Sequence, residues 1–223
     1  MNKLNKRCPD KKTLLLRTLF CILGNAVIGL GVAMSKTADF GIDPFNGMCM
    51  SVSAFFNINY MLYTWTFNLC CFVFEIIWGR HYIHIGTFIN WFLVSYAVTF
   101  FLNLNGPVSI PHPGTFPGRI VLLVLSLLVI SFGLAVYQIA DLGIAPYDAI
   151  PFMFCERHPK FPYFWARIIL DSACVTGILL THGDLLGVGT LLTALGLGPV
   201  VHLFMVLLKK LVSAFHGSVK KTA

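Results

Sequence analysis

Residues 38–46 read Ala-Asp-Phe-Gly-Ile-Asp-Pro-Phe-Asn, and residues 140–148 read Ala-Asp-Leu-Gly-Ile-Ala-Pro-Tyr-Asp. The two stretches lie 102 residues apart, and at the same offset Arg17 matches Arg119, Gly31 matches Gly133 and Ala33 matches Ala135. With one inserted residue, Thr64 matches Arg167, Asn68 matches Asp171, Cys71 matches Cys174, and Gly86-Thr87 matches Gly189-Thr190. A shared order at near-constant spacing is the mark of an internal duplication.

Around the repeated stretch the chain is strongly apolar. Of 223 residues, 57% are hydrophobic and 11% charged, against roughly 25% charged in a soluble domain. Six runs approach the length of about 18 apolar residues that reads as a membrane span. They fall near residues 14–35, 59–78, 83–103, 119–139, 162–180 and 190–208. The reading is an all-alpha membrane protein: a basic segment 1–13, a three-span repeat 14–104, a Pro- and Gly-rich link 105–118, a second three-span repeat 119–209 and a basic tail 210–223. Because each repeat holds an odd number of spans, the second enters the bilayer from the opposite face, so the repeats are expected to be inverted.

The net charge of +7 is read as an orientation signal rather than a nucleic-acid surface. Basic residues up to Arg17, then Arg80, Arg157, Lys160, Lys209, Lys210, Lys220 and Lys221, fall on one side, and only Lys36 and Arg119 on the other. The positive-inside rule puts both termini in the cytoplasm of a cell with the protein in its inner (plasma) membrane. The basic start followed by an apolar run imitates a signal peptide, but that run belongs to the repeat, so it is read as a span. Seven cysteines without a Cys-x-x-Cys pair, and histidines without ligand spacing, point to no metal, no cofactor and no disulfide scaffold. Met48, Met50, Met61 and Met153 read as adaptable apolar packing, and the many aromatics, Tyr60 and Trp91 among them, as interface anchors.

Gly41 suits the end of one helix and Pro44 the first position of the next, with Asp43 as its cap; Gly143 and Pro146 repeat this, although Ala145 is a poor cap. The segments that follow, 45–56 and 147–155, are too short to span. They lie on the surface or dip into the bilayer as half-helices, and the sequence leaves both placements open. Paired helix breaks in inverted halves are the best sequence pointer to a transport site. The N-terminus of a half-helix favours an anion or the carboxylate of a zwitterion, and Asn46 and Asp148 sit in that first turn. Asp148 caps its helix, pairs with a base or meets the cationic end of a ligand.

Polar groups inside spans are costly and hence informative. Arg167 and Asp171, one turn apart, are expected to pair, either as a structural bond or as part of a ligand or proton path; Thr64 and Asn68 are their neutral counterparts. Glu75, near Arg80, reads as a membrane-edge charge, and Asn25 and Asn90 as amides that bond helices together. Arg17 and Arg119 reach either headgroups or gating contacts. The candidate ligand-binding residues are therefore Asp43, Asn46, Thr64, Asn68, Asp148, Arg167 and Asp171. No nucleophile elbow or phosphate loop is present, so no enzymatic centre is expected.

Arg17 at the first span, Gly29-x-Gly31-x-Ala33, Ala38-x-x-Gly41-x-x-Pro44, Gly189-Thr190 and Gly198-Pro199 together resemble the small bacterial membrane proteins of the YczE and YitT type. The resemblance covers residues 14–209 and implies an integral membrane fold more firmly than a substrate. Many of those proteins have Trp where this chain has Phe45 and Tyr147. The function expected from the residues is secondary transport of a small anionic or zwitterionic solute, with proton or sodium coupling and homodimer formation left open; a membrane scaffold, a regulatory protein or a channel is the alternative.

Overall fold

The computed structural model describes residues 11–104, 110–181 and 185–219. The first ten residues, 105–109 of the link, His182 and the tail lysines Lys220 and Lys221 lie outside the described residues. The described chain is helical: α1 (Lys11–Ala38), α2 (Pro44–Phe55), α3 (Tyr60–Trp78), α4 (Ile85–Leu102), α5 (Phe116–Ile139), α6 (Pro146–Arg157), α7 (Tyr163–Leu180) and α8 (Val188–Val219), with a single 3-10 turn at Arg80–Tyr82. Among the described residues, α1, α3, α4, α5, α7 and α8 are long and apolar enough to cross a membrane. The protein is thus a multi-pass membrane protein. The two remaining helices have 12 residues each, about 18 Å at 1.5 Å per residue, against about 30 Å of hydrocarbon.

The first span runs on to Ala38, past the expected end at 35, because nothing breaks the helix before Asp39, which takes φ 59°. Gly41 follows with φ 104°, and the second copy repeats the path with Asp141 at 51° and Gly143 at 110°. Left-handed backbone of this kind is inexpensive only for glycine. Pro44 and Pro146 then open α2 and α6, where a missing N–H costs nothing.

Packing pairs elements that match in sequence. The two first spans, α1 and α5, pack on each other; α1 also packs on α4, as α5 does on α8. Their close approach needs small residues: a methyl group on Gly24 would lie 2.9 Å from Gly133 O, and one on Gly133 2.8 Å from Gly24 O. The short helices cross over, α2 against α7 and α6 against α3, so each packs on a span of the other half.

The crossover is held by the two Gly-Thr pairs. Gly189 N–H donates to Phe40 O at 2.7 Å, and Gly86 N–H donates to Leu142 O at 2.7 Å. Ile42 N–H donates to Leu185 O at 3.3 Å, and Ile144 N–H to Tyr82 O at 3.2 Å. Thr190 and Thr87 cap these turns by donating to the same carbonyls, Leu185 O and Tyr82 O, each at 3.3 Å. Each chain break is thereby clamped at the start of α8 or α4, where its backbone groups find partners.

Two sequence expectations are corrected here. Glu75, three residues from the end of α3, is not an exposed edge charge: it is 0% exposed, and Arg80 donates from Nε to Ile76 O at 2.9 Å. Trp91 is not an interface anchor; it is buried, and its indole N–H donates to Trp65 O at 2.9 Å. Asn25 and Asn90 do join α1 to α4, Asn90 Nδ2 donating to Asn25 Oδ1 at 2.6 Å. Arg119 meets a side chain from the other half, with Nη1 3.3 Å from Asp39 Oδ2.

Candidate functional site

The first turns of α2 and α6 meet near the middle of the bundle. Phe45 and Tyr147, equivalent positions of the two copies, stack with ring centroids 4.3 Å apart and planes at 28°. Tyr147 also donates its hydroxyl to Asp171, which lies midway along α7. The first turn of α6 therefore lies beside the middle of α7, and the N-termini of α2 and α6 approach one another there, each worth about half a positive charge.

The α2 tip is tied by neutral and acidic groups. Asp43 Oδ2 accepts the Asn46 N–H at 3.0 Å, as its capping role requires, and also accepts from Asn46 Nδ2 at 3.0 Å. Asn46 Oδ1 in turn accepts the Tyr60 hydroxyl at 2.7 Å. Below it on α3, Thr64 donates to Tyr60 O at 2.8 Å and Asn68 to Thr64 O at 3.1 Å. Four of these five residues are buried, and Tyr60 is partly so.

At the α6 tip there is no capping side chain at Ala145, and its N–H instead donates to the Tyr137 hydroxyl of α5 at 2.7 Å. Asp148 Oδ1 accepts from Arg167 Nη1 at 2.6 Å, and Asp171 Oδ2 accepts from Arg167 Nε at 3.2 Å. The guanidinium carbon also stands 5.2 Å from the centre of the Tyr147 ring, within reach of a cation–π contact. Asp171 completes its bonding with the Tyr147 hydroxyl at 2.9 Å, and that hydroxyl lies 3.2 Å from Cys174 Sγ. Arg167 thus joins two carboxylates, not the one its helical spacing suggested.

A cavity of about 80 Å³ opens between the tips and the long helices, with room for several waters or a small organic molecule. Asp43, Asn46, Thr64, Asn68, Asp148 and Arg167 all line it, and Asp171 stands behind Arg167. The remaining wall is largely apolar, from α1, α5 and α8, with Asn90, Trp91 and Ser95 from α4. Sequence reasoning missed Tyr60 and Tyr137, whose roles are set by partners distant in the chain; the only available signal was the lack of a cap at Ala145.

Electrostatically the site is acidic. Three carboxyl groups, of Asp43, Asp148 and Asp171, stand beside one guanidinium, which bonds the last two while Asp43 bonds Asn46. The two helix N-termini add about one positive charge between them. Further along α6, Glu156 accepts the Tyr82 hydroxyl at 2.7 Å and lies 3.1 Å from His81 Nε2, fastening the far end of the helix to the 3-10 turn. Burial first, and the bonded Glu156 second, hold the Tyr82 hydroxyl above its usual range.

Comparison with known proteins agrees with the expected family and is silent on chemistry. An uncharacterized membrane protein of Bacillus subtilis, YczE, is 24% identical over 192 residues, 86% of each chain. An uncharacterized protein of Haemophilus influenzae is 23% identical over 188 residues, 83% of this chain and 82% of its own length. No solved structure matches. The family of unknown function DUF6198 matches residues 15–206, from the first span to the last, and the protein belongs to that family.

Proposed function

We propose that the protein is a secondary transporter of a small zwitterionic solute, built from two inverted halves of three spans, with α2 and α6 as re-entrant half-helices. The observation that carries this reading is the arrangement at the tips: Asp148, Arg167 and Asp171 beside two converging helix N-termini, facing a cavity. The N-termini and Arg167 suit a carboxylate, while the surplus of carboxylates suits an ammonium group. An anion without a cationic end would enter a site already short of positive charge, so the zwitterion is the better fit of the two classes.

The matched hydrogen bonds of the two Gly-Thr pairs support the inverted reading, since they relate the halves by exchange. In such an architecture the halves trade conformations, and a central site opens to each face in turn. The cross-half contact of Arg119 with Asp39 would close one face. By the charge bias both termini are cytoplasmic. Asp43, Asn46, Thr64, Asn68, Asp148 and Arg167 are the ligand-contacting set, with Asp171 acting through Arg167, and no catalytic chemistry is assigned to them. A non-transporting scaffold would favour a filled centre with Arg167 and Asp171 paired only to each other; the cavity and the second partner, Asp148, weigh against it.

The test is a thermal-shift screen of purified protein against amino acids, betaines, small carboxylates, sulfonates and amines, repeated on Arg167→Ala and Asp148→Asn. A saturable stabilisation by zwitterions, absent in folded variants, is expected. Stabilisation by carboxylates alone would reverse the charge assignment, and no stabilisation by any class would turn the reading towards a scaffold.

A further inference from the structure

Among the described residues, Glu75 is the one acidic residue in a span that the cavity does not explain. Its side chain is 0% exposed, and neither carboxylate oxygen has a hydrogen-bond partner among those residues. The nearest bases in sequence or packing are committed elsewhere: Arg80 to Ile76 O, and Arg157 over the Trp78 ring at 4.8 Å. The elements packed on α3 place no base on the Glu75 carboxyl: the 3-10 turn carries Arg80 and His81 and α6 carries Arg157, and each is engaged by another group. On α6, Asp148 is held by Arg167 and Glu156 by His81 and Tyr82, and the residues between them include buried Ala149, Pro151 and Met153. Helix α4 carries no Asp, Glu, Lys, Arg or His, and α2 carries only Cys49. Tyr137 of α5 engages the Ala145 N–H, and α3 itself adds Tyr60, Tyr63, Cys70 and Cys71.

The duplication shows that the fold has no need of a carboxyl there. At the equivalent place on α7 stands Ile178, also 0% exposed, packed against Gly47 of α2. An ionised carboxylate with no partner is strongly disfavoured in such a slot, whereas a protonated carboxyl is tolerated. An intramembrane acid without a structural partner is by default a functional group.

We propose that Glu75 is a proton-binding site, neutral while α6 lies against α3 and releasing its proton to water when the Glu156 end of α6 lifts away. Close packing seals the slot: a methyl group on Gly79 would lie 2.5 Å from Met153 Sδ, so a small displacement of α6 decides access. The other end of the same 12-residue helix carries Tyr147 and Asp148, which hold Arg167 beside the cavity. Proton release and solute contact therefore act on one rigid element, and that coupling rests on the transport reading above.

The experiment has two arms, both using full-length protein. In lipid nanodiscs, infrared difference spectra across a pH titration are expected to contain a protonated-carboxyl C=O band that is lost in Glu75→Gln. Glu75→Ile, which copies the residue at the equivalent position 178, is the second variant and is expected to fold and to lack the same band. In proteoliposomes with an imposed acid gradient, uptake of a radiolabelled amino-acid mixture should fall roughly tenfold or more in Glu75→Gln, with exchange at equal pH retained. Absence of a Glu75-dependent band overturns the proposal whatever the flux result. A band with gradient-driven uptake unchanged in Glu75→Gln overturns the coupling. A band with no uptake or exchange by the parent protein leaves the proton site standing and counts against the transport reading.

Discussion

Replacing Arg167 by Ala separates the structural and the ligand-binding roles of the charged cluster. The substitution leaves Asp148 and Asp171 facing one another without the guanidinium that now bonds both, at 2.6 and 3.2 Å. Removing one member of a buried ion pair costs about 3–5 kcal/mol. The Arg167 and Asp148 side chains are 28% and 24% exposed, which places the loss near the lower end, about 3 kcal/mol. At about 2–4 °C per kcal/mol for a chain of this size, the midpoint should fall by about 6–12 °C. Neutralising the cluster as a whole with D148N, R167M and D171N together leaves no stranded charge, so that variant should unfold within about 2 kcal/mol of the parent, in either direction. It should nevertheless lose the zwitterion-induced shift completely. Thermal unfolding in one detergent, with and without the ligand from the screen, reads both quantities. The reasoning is refuted if R167A unfolds at the parent temperature, or if the combined variant is as unstable as R167A.

Three further outcomes follow from named contacts. Gly41→Ala and Gly143→Ala each force a left-handed residue, at about 1–2 kcal/mol, and bring a methyl group to 2.6 Å from Thr190 Oγ1 or Thr87 Oγ1. Both should lower the midpoint, and equal losses in the two would support equivalent clamps. Tyr137→Phe strands the Ala145 N–H that the hydroxyl now accepts; a loss of about 1–3 kcal/mol is expected, together with faster amide exchange at the start of α6 and not of α2. Asp43→Ala should cost about 0.5–2 kcal/mol as a lost cap, while Asp43→Asn, which still offers an acceptor, should cost much less in the same unfolding assay.

The six spans and the helix breaks were legible because their signals are local. Apolar run length reports a membrane crossing, and Gly41-x-x-Pro44 with its copy at Gly143-x-x-Pro146 reports where backbone must turn and restart. The pairing of Arg167 with Asp171 was equally legible, since four residues is one helical turn. Glu75 was misread for the same reason. Its nearness to Arg80 in sequence suggested a shared surface, yet Arg80 donates to Ile76 O at the end of α3 and the Glu75 side chain is fully buried.

Sequence alone determined that the chain is an all-alpha, multi-pass membrane protein, because hydrophobicity and helix termination are properties of contiguous residues. Only tertiary structure decided that α2 packs on α7 and α6 on α3, that Phe45 stacks on Tyr147, and that Asp148 shares Arg167 with Asp171. Those contacts join residues 19 to 102 or more positions apart in the chain. No periodicity encodes them, for they depend on how helices distant in the chain pack on one another and on which polar groups that packing brings within hydrogen-bond reach.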